Sequence, residues 1–232
     1  MIRHQTPAWV YFGGLTLATI AGTINSVGFL GQHHQALSHM TGTVTVLGYE
    51  LARAGYGVAL HALAILTAFF LGCLVSGALI RQSSLRLGRR YGVALSVESV
   101  LLLAAVYFLR RGANVGDYLA AAACGLQNAM VSTYSGSTMR TTHITGMVTD
   151  LGIACGHFLR RAEVDWFRFR IYGVLLLGYF AGAVLGGIGY GQWGYDTLLF
   201  PAVLSGVTGV GYTAIKHYER RRHAHAKHPA GP

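Results

Sequence analysis

Ser38-His39-Met40-Thr41-Gly42-Thr43-Val44-Thr45-Val46-Leu47-Gly48 aligns without gaps on Thr142-His143-Ile144-Thr145-Gly146-Met147-Val148-Thr149-Asp150-Leu151-Gly152. Seven of the eleven positions are identical and two more are conservative. Upstream of each copy stands a second shared element, Gly22-x-x-Asn25 and Gly125-x-x-Asn128, with the asparagines thirteen and fourteen residues before Ser38 and Thr142. Two motifs recurring in one order at matched spacing indicate an internal duplication.

The surrounding chain is a membrane sequence. Of 232 residues, 53% are hydrophobic and 11% charged, and the mean hydropathy is +0.44. A soluble domain carries about 25% charged residues, and a disordered chain needs low hydrophobicity, so both classes are excluded. The 32 glycines against four prolines suit closely packed membrane helices. Gaps between charged residues define six crossings, roughly Trp9–Leu30, Tyr56–Ile80, Tyr91–Leu109, Tyr118–Tyr134, Ile171–Tyr190 and Thr197–Lys216. Trp9, Trp166 and Trp193 fall at or just outside their ends, where amphipathic rings sit at the headgroups. No Ala-x-Ala cleavage site follows the first span, so the N-terminus is expected to be retained. Cys73, Cys124 and Cys155 are odd in number and far apart, giving neither a disulfide framework nor a zinc motif.

The two His-x-Thr-Gly segments are too short to cross. Thr41 to Ala54 and Thr145 to Arg160 would be helices of about 21 to 24 Å against a hydrocarbon core of ~30 Å. They read as half-helices. Each copy then has three full crossings, an odd number, so the copies must be inverted. With a cytoplasmic N-terminus, fifteen Lys and Arg residues lie inside and three, Arg53, Arg110 and Arg111, outside. Eight full crossings in parallel repeats would split them thirteen to five. The expected fold is therefore an all-α polytopic membrane protein of two inverted repeats, each with three transmembrane helices and one half-helix; eight spans in parallel repeats is the alternative. The chain is read as one membrane domain, 1–232, with repeat 1 over about 9–109 and repeat 2 over about 118–216. Residues 217–232 form a basic cytoplasmic tail, either a solvated disordered end or a strip touching anionic headgroups. The net charge of +10 follows from these loop and tail positions, without nucleic-acid motifs or interleaved aromatics, so nucleic acid is not an expected partner.

Gly22-x-x-Asn25 and Ser38-x-Met40-Thr41-Gly42, followed by Gly125-x-Gln127-Asn128 and Thr141-Thr142-x-x-Thr145-Gly146, resemble the YoaK-like bacterial membrane proteins, a family of unknown function. The resemblance covers roughly Val10 to Lys216. It implies an integral protein of the bacterial inner membrane, N- and C-termini cytoplasmic on the charge count above, and carries over no activity and no site residues. A fainter analogy is to the sulfate and uracil permeases, where an extended segment precedes a half-helix in each inverted repeat.

Half-helix N-termini expose unpaired N–H groups and about +0.5 of a charge, so two of them near the midplane favour an anion or polar group. The candidate substrate-binding residues are His39, Thr41, Gly42, His143, Thr145 and Gly146. Glycine would admit close backbone approach and threonine would cap the helix or donate to substrate. Asn25 and Asn128 join them, as substrate contacts or as braces for the broken backbone. Gln127 has no counterpart in the first copy, where Ile24 stands. Glu98 and Asp150, acids within apolar segments, are candidate proton-coupling groups, since a charge at the bilayer centre costs about 2.5–3.5 kcal/mol. The structural alternatives are a carboxyl bonded to a neighbouring helix for Glu98, and a partner to Arg140 or His157 for Asp150. His33, His34 and His39 have no carboxylate or cysteine nearby in the chain, so no metal and no cofactor is expected.

The expected function is secondary transport of a small anion or polar metabolite, with proton coupling through the acids. The alternatives are a channel, an intramembrane enzyme and a non-transporting scaffold or partner subunit. An enzyme is disfavoured, because Gly-x-Ser-x-Gly and His-Glu-x-x-His are absent. The partners expected are the lipid bilayer and a small-molecule or anion substrate, and the composition permits a homo-oligomer.

Overall fold

The computed structural model describes residues 8–80, 89–135 and 139–227. Among them the chain forms α1 (Ala8–Leu30), α2 (Met40–Ala52), α3 (Tyr56–Leu79), α4 (Arg89–Leu109), α5 (Val115–Tyr134), α6 (Ile144–Leu159), α7 (Trp166–Trp193), a 3-10 turn (Gly194–Leu198) and α8 (Leu199–Lys227). It is an all-helical protein. Four stretches are long and apolar enough to cross a membrane: Ala8–Leu30, Tyr56–Leu79, Arg90–Leu109 and Trp166–Ala214, the last containing α7 and the apolar part of α8. Helix α5 is not among them, being diluted by Gly125, Gln127 and Asn128. It packs between α3 and α4, so protein rather than lipid covers its polar side chains. Elsewhere the outer surface is apolar: Leu63, Phe70 and Leu74 of α3, and Leu177, Phe180 and Ile188 of α7, are exposed. The chain is a multi-pass membrane protein.

Two helices run past their expected ends. Helix α7 starts at Trp166, five residues before Ile171, because the Asp165 carboxylate accepts from the N–H groups of Phe167 and Arg168, both at 3.1 Å. Helix α8 continues to Lys227, through residues whose charge reads as a tail. The added segment, Tyr218-Glu219-Arg220-Arg221-Arg222-His223-Ala224, has good helix formers and no glycine or proline.

Three close pairings build the core, and glycine sets their distance. In the α1–α7 pair a Cβ at Gly22 would collide with the carbonyl oxygen of Tyr179, and one at Gly182 with that of Thr19. In the α3–α5 pair a Cβ at Gly125 would collide with the oxygen of Phe69, and one at Gly72 with that of Ala122. The same arrangement thus occurs twice, with a three-residue step on every helix. Such contact is the small-residue packing that lets membrane helices approach backbone to backbone.

Neighbour order fixes direction. Leu15, Thr19 and Thr23 of α1 meet Gly178, Gly182 and Gly186 of α7, so that pair is parallel. His61 meets Tyr118 and Phe69 meets Gly125, so α3 and α5 are parallel as well. Gly92 faces Gly209 and Thr213, whereas Ser99 faces Gly206, so α4 and α8 are antiparallel. One rim, the far rim, gathers the end of α1, the starts of α3 and α5, the end of α4 and the 3-10 turn, through Gln32–Tyr195, His61–Tyr118 and Arg110–Asp196. The opposite, near rim holds the starts of α1, α4 and α7. Helix α2 therefore links two helix ends on the far rim.

Gly182→Leu is expected to disrupt the α1–α7 crossing and lower stability by about 1–3 kcal/mol or more. Gly77→Ala, with nothing within 4 Å of the new Cβ, should change it by less than about 1 kcal/mol. Thermal unfolding of the two variants in detergent checks the contrast.

Candidate functional site

The chain doubles back after α1. Asn25 donates from Nδ2 to Ser38 Oγ at 2.6 Å and to Ala21 O at 2.9 Å, while Ser38 N donates to Asn25 Oδ1 at 2.9 Å. Leu37 packs on Gly28, where a Cβ would stand 2.6 Å from Leu37 Cγ. Ser38 thus lies level with Asn25, about 7 Å short of the helix end at Leu30. Helix α2 begins within the bundle instead of at its rim. After α5 the chain turns back in the same way, with a different amide: Gln127 Nε2 donates to Thr141 Oγ1 at 3.0 Å and to Leu17 O at 2.8 Å. Asn128, aligned with Asn25 in sequence, has a buried Oδ1 that accepts no hydrogen bond. The structure gives bracing to Asn25 and Gln127, and the usable clue was the thirteen- and fourteen-residue separation from Ser38 and Thr141.

His39 and His143 precede the first residues of α2 and α6 as N-caps without a side-chain cap bond. A Cβ at Gly42 would lie 2.7 Å from His39 Nδ1, and one at Gly146 2.7 Å from His143 Nδ1. Each glycine therefore makes room for the imidazole three residues before it. Thr41 and Thr145 are exposed, and their carbonyls accept from Thr45 and Thr149 at 3.0 and 2.9 Å. Helices α2 and α6 pack on α3 and α7 and make no contact with each other. The two motifs are matched in geometry and kept apart.

The two acids are separated as well. Asp150 is exposed on α6, beside Tyr172 of α7. Glu98 is fully buried in α4, facing Ser205 of α8 and near Cys124 of α5, and it forms no ion pair among the described residues. Ser205 also lines a cavity of about 260 Å³ between α1, α4, α5 and α8, bounded by Leu17, Ile20, Leu95, Met130 and Leu204 and running to Trp9 and Tyr212 at the near rim. Helices α4 and α5 pack closely, and toward the far rim Leu109 and Ala105 press on Gly116.

At the far rim Arg110, after α4, pairs with Asp196 of the 3-10 turn. The hydrogen bond from Arg110 holds the Asp196 carboxyl below its usual value of 3.8 and raises the guanidinium of Arg110 in turn. A depressed carboxyl pKa stabilises the fold above its unfolded value and loses that contribution as pH falls through the folded one. The pair is intact at neutral pH. Tyr195 Oη accepts from Gln32 N at 2.9 Å beside it, tying the α1–α2 connection to the same turn.

A helical membrane protein with two doubled-back segments and a buried acid is the class that fold and site define. The family described as "Protein of unknown function (DUF1275)" matches residues 13–211, and the chain belongs to that family. No curated protein and no solved structure matches, and the likeness to sulfate and uracil permeases finds no support there.

Losing a bonded buried amide costs about 1–3 kcal/mol. Asn25→Leu and Gln127→Leu are therefore expected to lower the unfolding temperature in detergent. Asn128→Leu, which removes a partnerless oxygen, should leave it unchanged or raise it; equal losses at Gln127 and Asn128 would contradict the assignment.

Proposed function

We propose that this is a secondary transporter of the bacterial inner membrane, built from two inverted halves and alternating access about Glu98. The helix directions support the inversion. If α2 and α6 do not cross, the order is α1 up, α3 down, α4 up, α5 down, α7 up and α8 down, in which α4 and α8 oppose each other as their neighbours require. Eight crossings would make them parallel. Exchanging the halves maps the α1–α7 crossing onto α5–α3, together with its glycine contacts.

The observation that carries the reading is an asymmetry on that background. The exchange also maps α4–α5 onto α8–α1. The first interface is closely packed, whereas α1 and α8 stand apart beside the 260 Å³ cavity, which runs from the near rim to Ser205, the neighbour of Glu98. A two-fold scaffold closed on one side and open on the other is what alternation between two states requires. With the N-terminus cytoplasmic, the cavity opens inward, and Arg110–Asp196 with Tyr195–Gln32 close the outside. Glu98 is the proton-coupling group, reached through Ser205. Asp150, exposed on α6, is not part of this route. The lining is largely apolar, which favours a solute with an apolar body and one hydrogen-bonding group over a bare inorganic anion. His39, Thr41, Gly42, His143, Thr145 and Gly146 then act by ordering the half-helices and do not serve as one composite pocket.

The test is side-specific thiol labelling after Cys73, Cys124 and Cys155 are replaced by alanine. Ser205→Cys should react with a membrane-impermeant reagent from the cytoplasmic face, and Ala105→Cys should not react from outside. Adding Arg110→Ala and Asp196→Ala should raise outside labelling of Ala105→Cys at least tenfold and lower cytoplasmic labelling of Ser205→Cys. No reciprocal change would overturn the alternating-access reading.

A further inference from the structure

Far from Glu98, the far rim brings three side chains together from separate elements. His33 lies on the α1–α2 connection, His61 on the second turn of α3 and Asp117 on the first turn of α5. Their ligand atoms all lie within 4.8 Å of one another. His61 Nε2 stands 3.7 Å and His33 Nε2 3.9 Å from Asp117 Oδ2, and the imidazole centroids are 4.1 Å apart. Donors bound at about 2.1 Å around a tetrahedral ion lie about 3.4 Å from one another, so small side-chain movements would close the set.

The state of His61 points to a ligand. The residue is 7% exposed, and its Nε2 is buried without a hydrogen-bond partner while aimed at a carboxylate. Its other nitrogen, Nδ1, is 3.1 Å from Tyr118 Oη. When Nδ1–H donates to that hydroxyl, the Nε2 lone pair faces Asp117 Oδ2, and a cation between them would satisfy both acceptors. An outer oxygen partner that fixes the ring is the usual support of a metal-bound histidine. The His33 side chain is 30% exposed and leaves a route for an ion and a water in the fourth position. Asn114 Oδ1, 2.9 Å from His33 Nε2, holds that ring in the absence of an ion.

We propose that His33, His61 and Asp117 bind one divalent transition-metal ion, with Zn²⁺ the best fit to two imidazoles, one carboxylate and an open position. The ion fastens the α1–α2 connection to the α3–α5 pair. This site stands independently of the transport reading.

The full chain is purified on a tag without histidine, stripped with chelator and titrated with Zn²⁺ by calorimetry and with Co²⁺ by visible absorption. His223, His225 and His228 are replaced by alanine throughout to silence the C-terminal segment. One equivalent should bind, with a tetrahedral Co²⁺ spectrum and a rise in Tm. His33→Ala and Asp117→Asn should weaken binding at least tenfold and abolish the spectrum, while His34→Ala leaves both unchanged. Absence of stoichiometric binding to the parent, or equal binding by folded His33→Ala, would overturn the site. If Asp117→Asn does not fold, the exposed His33 position decides alone.

Discussion

An irregular backbone inside a bilayer must have its N–H and C=O groups satisfied by protein, because lipid offers no partners. The paired bonds between Asn25 and Ser38 meet that constraint where the chain turns back along α1. Gln127 meets it for Thr141 after α5. Without these amides, the connections would have to run out to the rim and α2 and α6 would lose their inner starting points. The order of the other helices follows, since a short helix that enters and leaves by one rim reverses the sense of every later crossing.

Glycine is the second requirement. The halves do not sit side by side as separate bundles; α1 of one packs on α7 of the other, and α5 on α3. Gly22 with Gly182, and Gly125 with Gly72, bring those backbones into contact. Under the proposed duplication, interlocking of this kind makes each half part of the other's core. Motion is left to the looser surfaces, the α1–α8 cleft among them.

The membrane class and the six long helices were legible because charge is scarce enough to separate the apolar runs. The likeness of the two His-x-Thr-Gly segments was legible because the motif demands a particular fit, an imidazole over a glycine, in both. Other features depend on contacts that pattern cannot register. Alignment pairs Asn25 with Asn128, but reach pairs Asn25 with Gln127, one residue earlier and one methylene longer. The start of α7 hides behind Arg168 and Arg170, which look like loop until Asp165 is seen as a cap. A search for metal ligands near His33 in the chain misses His61 and Asp117, which come from other helices.

The proposed inversion is tested most directly by locating the two half-helix C-termini. In a cysteine-free chain, Arg53→Cys at the end of α2 and Arg160→Cys at the end of α6 are labelled with a membrane-impermeant maleimide in intact cells and in inverted vesicles. Inverted halves place the two on opposite faces, Arg53→Cys labelled from outside and Arg160→Cys from the cytoplasm. Labelling of both from the same face would contradict the account.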